Sequence, residues 1–142
     1  AHPHRDRAAH VITGPVALDL ARGPLGVAVA RRVVSAVCAQ AGLGVDRLQD
    51  AAILAETLAE IGPRADGARL RMELQAARGA VTVRVGPLPA GGAGALRAQS
   101  EVPGVGSVLE RLADTLDVRQ TEAGDEVVLS FGEPGLGPPG QG

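Results

Sequence analysis

The sequence predicts an α+β domain, a two-layer sandwich with helices on one face of a mixed or antiparallel sheet. Three observations lead there. Two segments that alternate polar and apolar residues, Arg69 to Gln75 and Val81 to Val85, flank an Arg78-Gly79 turn and form an antiparallel hairpin. Two segments upstream carry apolar residues at steps of three and four, the mark of helices with one buried face. A further alternating pair near the end completes the order strand, two helices, hairpin, helix, hairpin.

Taken in order, Val16 to Leu20 alternates well enough for the first strand, and Arg22-Gly23-Pro24 breaks it and opens a helix with Pro near its first turn. From Val27 to Ala41 the positions Val27, Ala30, Val34, Val37 and Ala41 share one face, which leaves Arg31 and Arg32 toward the other. Gly42-Leu43-Gly44 ends this helix, and Asp46 is expected to cap the next, which runs through Leu48, Ala52, Ala55, Leu58 and Ile61 to Gly62-Pro63. Residues 86–103 are mostly Gly, Pro and Ala without periodicity. That is long for a structureless connection, and a mobile lid is expected there. After Gly104-Val105-Gly106 a helix should bury Val108, Leu109, Leu112 and Leu116, and Asp117 to Gln120 with Glu126 to Phe131 should form the last hairpin around Ala123-Gly124. The domain is expected over residues 12–131, between disordered tails at 1–11 and 132–142.

Composition narrows the function. A chain of 142 residues, 45% hydrophobic, suits one domain with its own core. The 14 basic and 16 acidic residues alternate in short runs to a net charge of −2, so no basic stripe invites nucleic acid as a direct partner. Phe131 is the single aromatic residue, which removes stacking platforms for bases and leaves the core to Val, Leu, Ile and Ala. Cys38 has no partner for an internal disulfide and falls in an apolar run, where a small buried hydrophobe is expected. No stretch approaches the roughly 20 apolar residues of a membrane span, and no signal peptide opens the chain. A cytoplasmic protein is expected. The absence of Lys excludes a phosphate-binding P-loop at Gly91-Gly92-Ala93-Gly94. His2, His4 and His10 all precede Val11, so no Ser or Cys of the domain has a His partner for hydrolase chemistry. A metal held by that flexible tail would carry a large ordering cost.

Two features remain that carry chemistry. Glu56 and Glu60, four residues apart on the second helix, present both carboxylates on one face; the plainer alternative is a pair of solvated helix glutamates. Gly104-Val105-Gly106-Ser107 opens a helix whose first amides would form an anion site; here the alternative is an ordinary junction of loop and helix. In this order of elements, over about residues 16–131, the chain resembles the nucleotide-binding domain of the GHKL (histidine-kinase-like) ATPase superfamily, a Bergerat-like ATP-binding fold. The branch it most resembles is that of the anti-sigma-factor serine/threonine kinases.

The resemblance implies a role for each residue. Glu56 takes the catalytic position of the family's Glu-x-x-x-Asn motif, near the terminal phosphate of ATP. Glu60 replaces the Asn that binds the bridging Mg²⁺, and a carboxylate can serve as that ligand. Gly104, Gly106 and Ser107 take the place of the glycines that cradle the phosphates. Two departures stand out. A second negative charge beside a triphosphate costs electrostatic energy that an amide does not. The family's Asp-x-Gly-x-Gly, whose Asp reads the adenine amino group, falls on Gly86-Pro87-Leu88-Pro89 with no acid within reach, and losing such a hydrogen bond in a desolvated pocket costs about 1 to 3 kcal/mol. The expectation is a regulatory protein-binding module with weak or absent binding of ATP and Mg²⁺. By resemblance it docks a sigma factor or an anti-sigma-factor antagonist and is able to pair as a homodimer, with Arg31, Arg32 and Arg47 supplying docking charges on the two helices. Alternatives are an active serine/threonine kinase acting on the antagonist, and the ATP-binding domain of a histidine kinase.

Overall fold

The computed structural model of the chain describes residues 11–62, 69–103 and 106–132. The elements are β1 (Val11–Leu20), α1 (Pro24–Gln40), α2 (Val45–Ile61), β2 (Leu70–Ala77), β3 (Ala80–Leu88), α3 (Gly92–Gln99), β4 (Glu101–Val102), β5 (Gly106–Ser107), α4 (Val108–Leu112), β6 (Thr115–Thr121) and β7 (Gly124–Gly132). Five strands form one sheet in the order β1-β2-β3-β7-β6, antiparallel at every pairing, while β4 and β5 make a separate two-residue ribbon. Helices cover one face. This is the predicted α+β two-layer sandwich.

Register follows from the period of two. Val16, Leu74, Val83, Leu129 and Leu116 lie in one row across the sheet, and Leu18, Met72, Val85, Val127 and Val118 in the next. These rows face the helices. The opposite parity carries Asp19, Arg71, Glu73, Arg84 and Glu126 into water, where Arg71 lies 3.7 Å from Asp19 and 3.6 Å from Glu73, and Arg84 lies 3.4 Å from Glu126. A slip of one residue would exchange the two faces and bury these charges, so the pattern holds the strands in place.

α1 begins at Pro24, whose missing N–H belongs to the helix's first turn, where that group has no intrahelical acceptor. It buries Gly26, Ala30, Val34, Val37 and Cys38, close to the predicted stripe. Its end is tied to the β2-β3 turn, where the Gly79 N–H donates to the Ala41 carbonyl at 2.7 Å. α2 buries Ala51, Leu54, Ala55, Leu58 and Ala59. That face is rotated from the predicted one, because α2 is packed both by α1 and by α3, α4 and β7, so Leu54 is fully enclosed and Ala52 only partly. Gly44, and not Asp46, is the N-cap of α2; Asp46 lies in the first turn, where its charge complements the positive end of the helix without capping it.

The lid expected at residues 86–103 is replaced by regular structure: β3 runs on to Leu88, and α3 follows from Gly91, whose φ of 77° turns the chain into it. Ala93 and Leu96 of α3 enter the core. The helix after Gly106 is also shorter than predicted, since it ends at Leu112 and Leu116 pairs with Leu129 in β6. The sheet extends one residue past each predicted domain limit, to Val11 and Gly132. The rest of the predicted tails, with His2, His4 and His10, lies outside the described residues. Among the described residues no helix is long and apolar enough to cross a membrane.

Candidate functional site

Glu56 and Glu60 stand in the C-terminal half of α2, on the wall of an open groove of about 1100 Å³. The facing wall is the first half of α1 with the turn before it, and contributes Arg22, Leu25, Val29, Arg31 and Arg32. Glu56 is half-buried, and its Oε1 lies 3.3 Å from Arg31 Nε; Glu60 is exposed. With three arginines against two glutamates the groove is net positive. Its apolar strip is conspicuous, for Leu25 is 78% and Val29 39% exposed.

The glycine-gated helix start lies elsewhere. No residue after Glu60 lines the groove among the described residues. Ser107 is buried, its hydroxyl 2.7 Å from that of Ser100, and Gly106 pairs with Val102 in the β4-β5 ribbon. The amide of Val108, the first of α4, donates to the Ser100 carbonyl at 2.9 Å. Gly104 lies outside the described residues. The fold therefore gathers Glu56 and Glu60 in one groove and separates them from Gly106 and Ser107.

Gly86 to Leu88, where the resemblance expects the adenine-reading motif, belongs to β3 and lies close against the backbone of β7. Leu88 is buried and pairs with Asp125 across the sheet. A Cβ added at Gly86 would lie 2.8 Å from the Asp125 carbonyl, and one at Gly124 would lie 2.3 Å from the Leu88 carbonyl. An acid does stand beside this segment, contrary to the expectation from sequence. It is Asp125 of β7, which accepts the Ala93 N–H of α3 at 3.3 Å. The signal was the register of the β3-β7 pair, which a search along one strand does not reach.

Arg47 is not a docking charge. Its guanidinium donates to Asp114 Oδ1 at 2.7 Å, to Asp50 Oδ2 at 3.0 Å, to the Gly132 carbonyl at 3.2 Å and to the Leu112 carbonyl at 3.3 Å. It also lies over the Phe131 ring, 5.3 Å from the centroid. Asp114 completes the clamp by accepting the Gly132 N–H at 2.5 Å. One side chain thus fastens the start of α2 to α4 and to the end of β7.

Cys38 is buried beneath this region, and burial pushes its thiol up to about 11, with the Arg47 cation acting in the opposite direction. The sequence has no Lys and no Tyr, so Cys38 is the one side chain that titrates between about pH 9 and 12. The folded thiol keeps a proton that the unfolded thiol has lost. Its contribution to stability is therefore complete below pH 9 and is lost as pH rises through about 11, on the order of 2 kcal/mol in all. Urea midpoints followed by circular dichroism should fall between pH 8.5 and pH 11 in the parent, and Cys38→Ala should flatten that fall.

Comparison with models of known protein families gives no match, and comparison with curated proteins gives none either.

Proposed function

We propose that the chain is a regulatory protein-binding module, related to the anti-sigma-factor serine kinases, in which the nucleotide site has been given up and the helical face does the work. The observation that supports this reading is the separation of the residues that the resemblance assigns to the nucleotide: Glu56 and Glu60 line the groove between α1 and α2, whereas Gly106 and Ser107 are held in and beside the β4-β5 ribbon. That machinery is spent on internal contacts. Val108 gives its N–H to the Ser100 carbonyl, the Ser107 and Ser100 hydroxyls share a hydrogen bond, and Glu56 is held by Arg31. A dication at Glu60 would also face Arg22, Arg31 and Arg32 across the groove, a poor setting for Mg²⁺. The residues present do not fit Mg·ATP.

The partner by resemblance is a sigma factor or an anti-sigma-factor antagonist, held by the surface of α1 and α2. Titration calorimetry with ATP and Mg²⁺ should give no heat of binding at micromolar protein. A dissociation constant of about 10 μM or tighter, near −7 kcal/mol, would remove this reading in favour of an active kinase.

A further inference from the structure

α1 carries two apolar stripes, and one of them is unburied. Gly26, Ala30, Val34 and Val37 face the core, whereas Leu25 and Val29, one turn apart on another side of the helix, are exposed, Leu25 strongly and Val29 in part. Arg32 follows Val29 by three residues on the helix, and Arg22, in the turn before it, lines the same groove, so two cations flank the two aliphatic side chains. Neither arginine makes an ion pair among the described residues. The first turn of α1 holds no acidic residue, so the positive end of the helix adds to the charge of Arg22.

We propose that this groove seats an amphipathic helix of a protein partner, its aliphatic side chains against Leu25 and Val29 and its carboxylates at Arg22 and Arg32. The proposal rests on the protein-binding reading above and gives that partner its chemistry. Length agrees: the groove's lining on α1 runs from Leu25 to Ser35, about three turns, so a partner helix of two to three turns can lie along it. Charge sets the orientation. Glu56 is neutralised by Arg31, but Glu60 on the far wall makes no ion pair among the described residues and repels a second row of acids. The occupant is therefore acidic on the flank facing α1 and neutral or basic on the flank facing α2, and a helix turned the other way is rejected by like charge on both sides.

The test uses the full chain and two lactam-bridged helical peptides of about twelve residues. Both carry Leu one turn apart; one has Glu along a single flank and the other has Lys in the same places. The acidic peptide should shift the NMR signals of Leu25, Val29 and Glu60 saturably, and the basic peptide should not. Arg22→Glu combined with Arg32→Glu should weaken the acidic peptide at least about tenfold with little change in melting temperature, since exposed charge exchanges act on association more than on folding. Equal shifts from both peptides, or none that saturates by about 1 mM, would overturn the proposal. So would a dimer in sedimentation that Leu25→Asp dissociates, which would assign the stripe to a second copy of the chain. Failure here with Mg·ATP still unbound costs only this groove, whereas tight Mg·ATP binding defeats the functional reading whatever the peptides do.

Discussion

Arg47→Ala should destabilise the fold by about 3 kcal/mol, because it removes hydrogen bonds that charge makes strong and a cation over an aromatic face at the same time. The side chain of Arg47 is only 14% exposed, which separates this cluster from the surface pairs. Arg84→Ala breaks a single half-exposed contact with no further partners among the described residues, so a loss of at most about 1 kcal/mol is expected there. Arg47→Lys should recover little, since one ammonium cannot reach Asp114, Asp50 and two carbonyls together. Asp114→Ala added to Arg47→Ala should cost less than the sum of the two, as expected of partners in one network. The chain has no Trp and no Tyr, so urea unfolding must be followed by far-ultraviolet circular dichroism. A loss under about 1 kcal/mol for Arg47→Ala would mean that the clamp is a surface ornament.

Two glycines of the same region should respond in opposite directions. Gly124 has a φ of 139°, and an added Cβ would lie 2.3 Å from the Leu88 carbonyl. Gly124→Ala therefore combines backbone strain with a clash against main chain that cannot turn aside, and about 2 to 4 kcal/mol should be lost. Gly94, exposed in α3, has nothing within 4 Å of such a Cβ. Gly94→Ala should gain about 0.5 to 1 kcal/mol from helix propensity alone. If Gly124→Ala is as stable as the parent, the close packing of β3 on β7 at this turn is wrong.

The legible parts of this fold were those whose signal is local. The β2-β3 hairpin could be read from alternation on either side of Arg78-Gly79, and α1 from Ala30, Val34 and Val37. α3 was hidden because Gly, Ala and Gly carry almost no hydrophobic contrast, so its two core contacts, Ala93 and Leu96, raised no periodic pattern. Leu116 suited both a helix stripe and a strand, and tertiary pairing with Leu129 decided for the strand. At the site the spacing of Glu56 and Glu60 placed them correctly on one wall, but nothing local told that Arg31 would face them. Arg47 was misread for the same reason. In sequence it is one more polar letter on a helix, and its acceptors Leu112 and Gly132 lie 65 and 85 residues away.

The open face of the sheet has a consequence of its own. Asp19, Arg71, Glu73, Arg84 and Glu126 lie on it as a checkerboard of sign, each charge already answered by a neighbour in the same plane. A flat surface laid against it would meet repulsion about as often as attraction, and would have to strip water from ions that gain nothing in return. The β6 edge of this face, where exposed Asp117 and Arg119 make no ion pair among the described residues, departs from this balance. If the proposed groove on α1 is the docking side, the domain is two-sided, with an internally balanced back and a front on which encounters last.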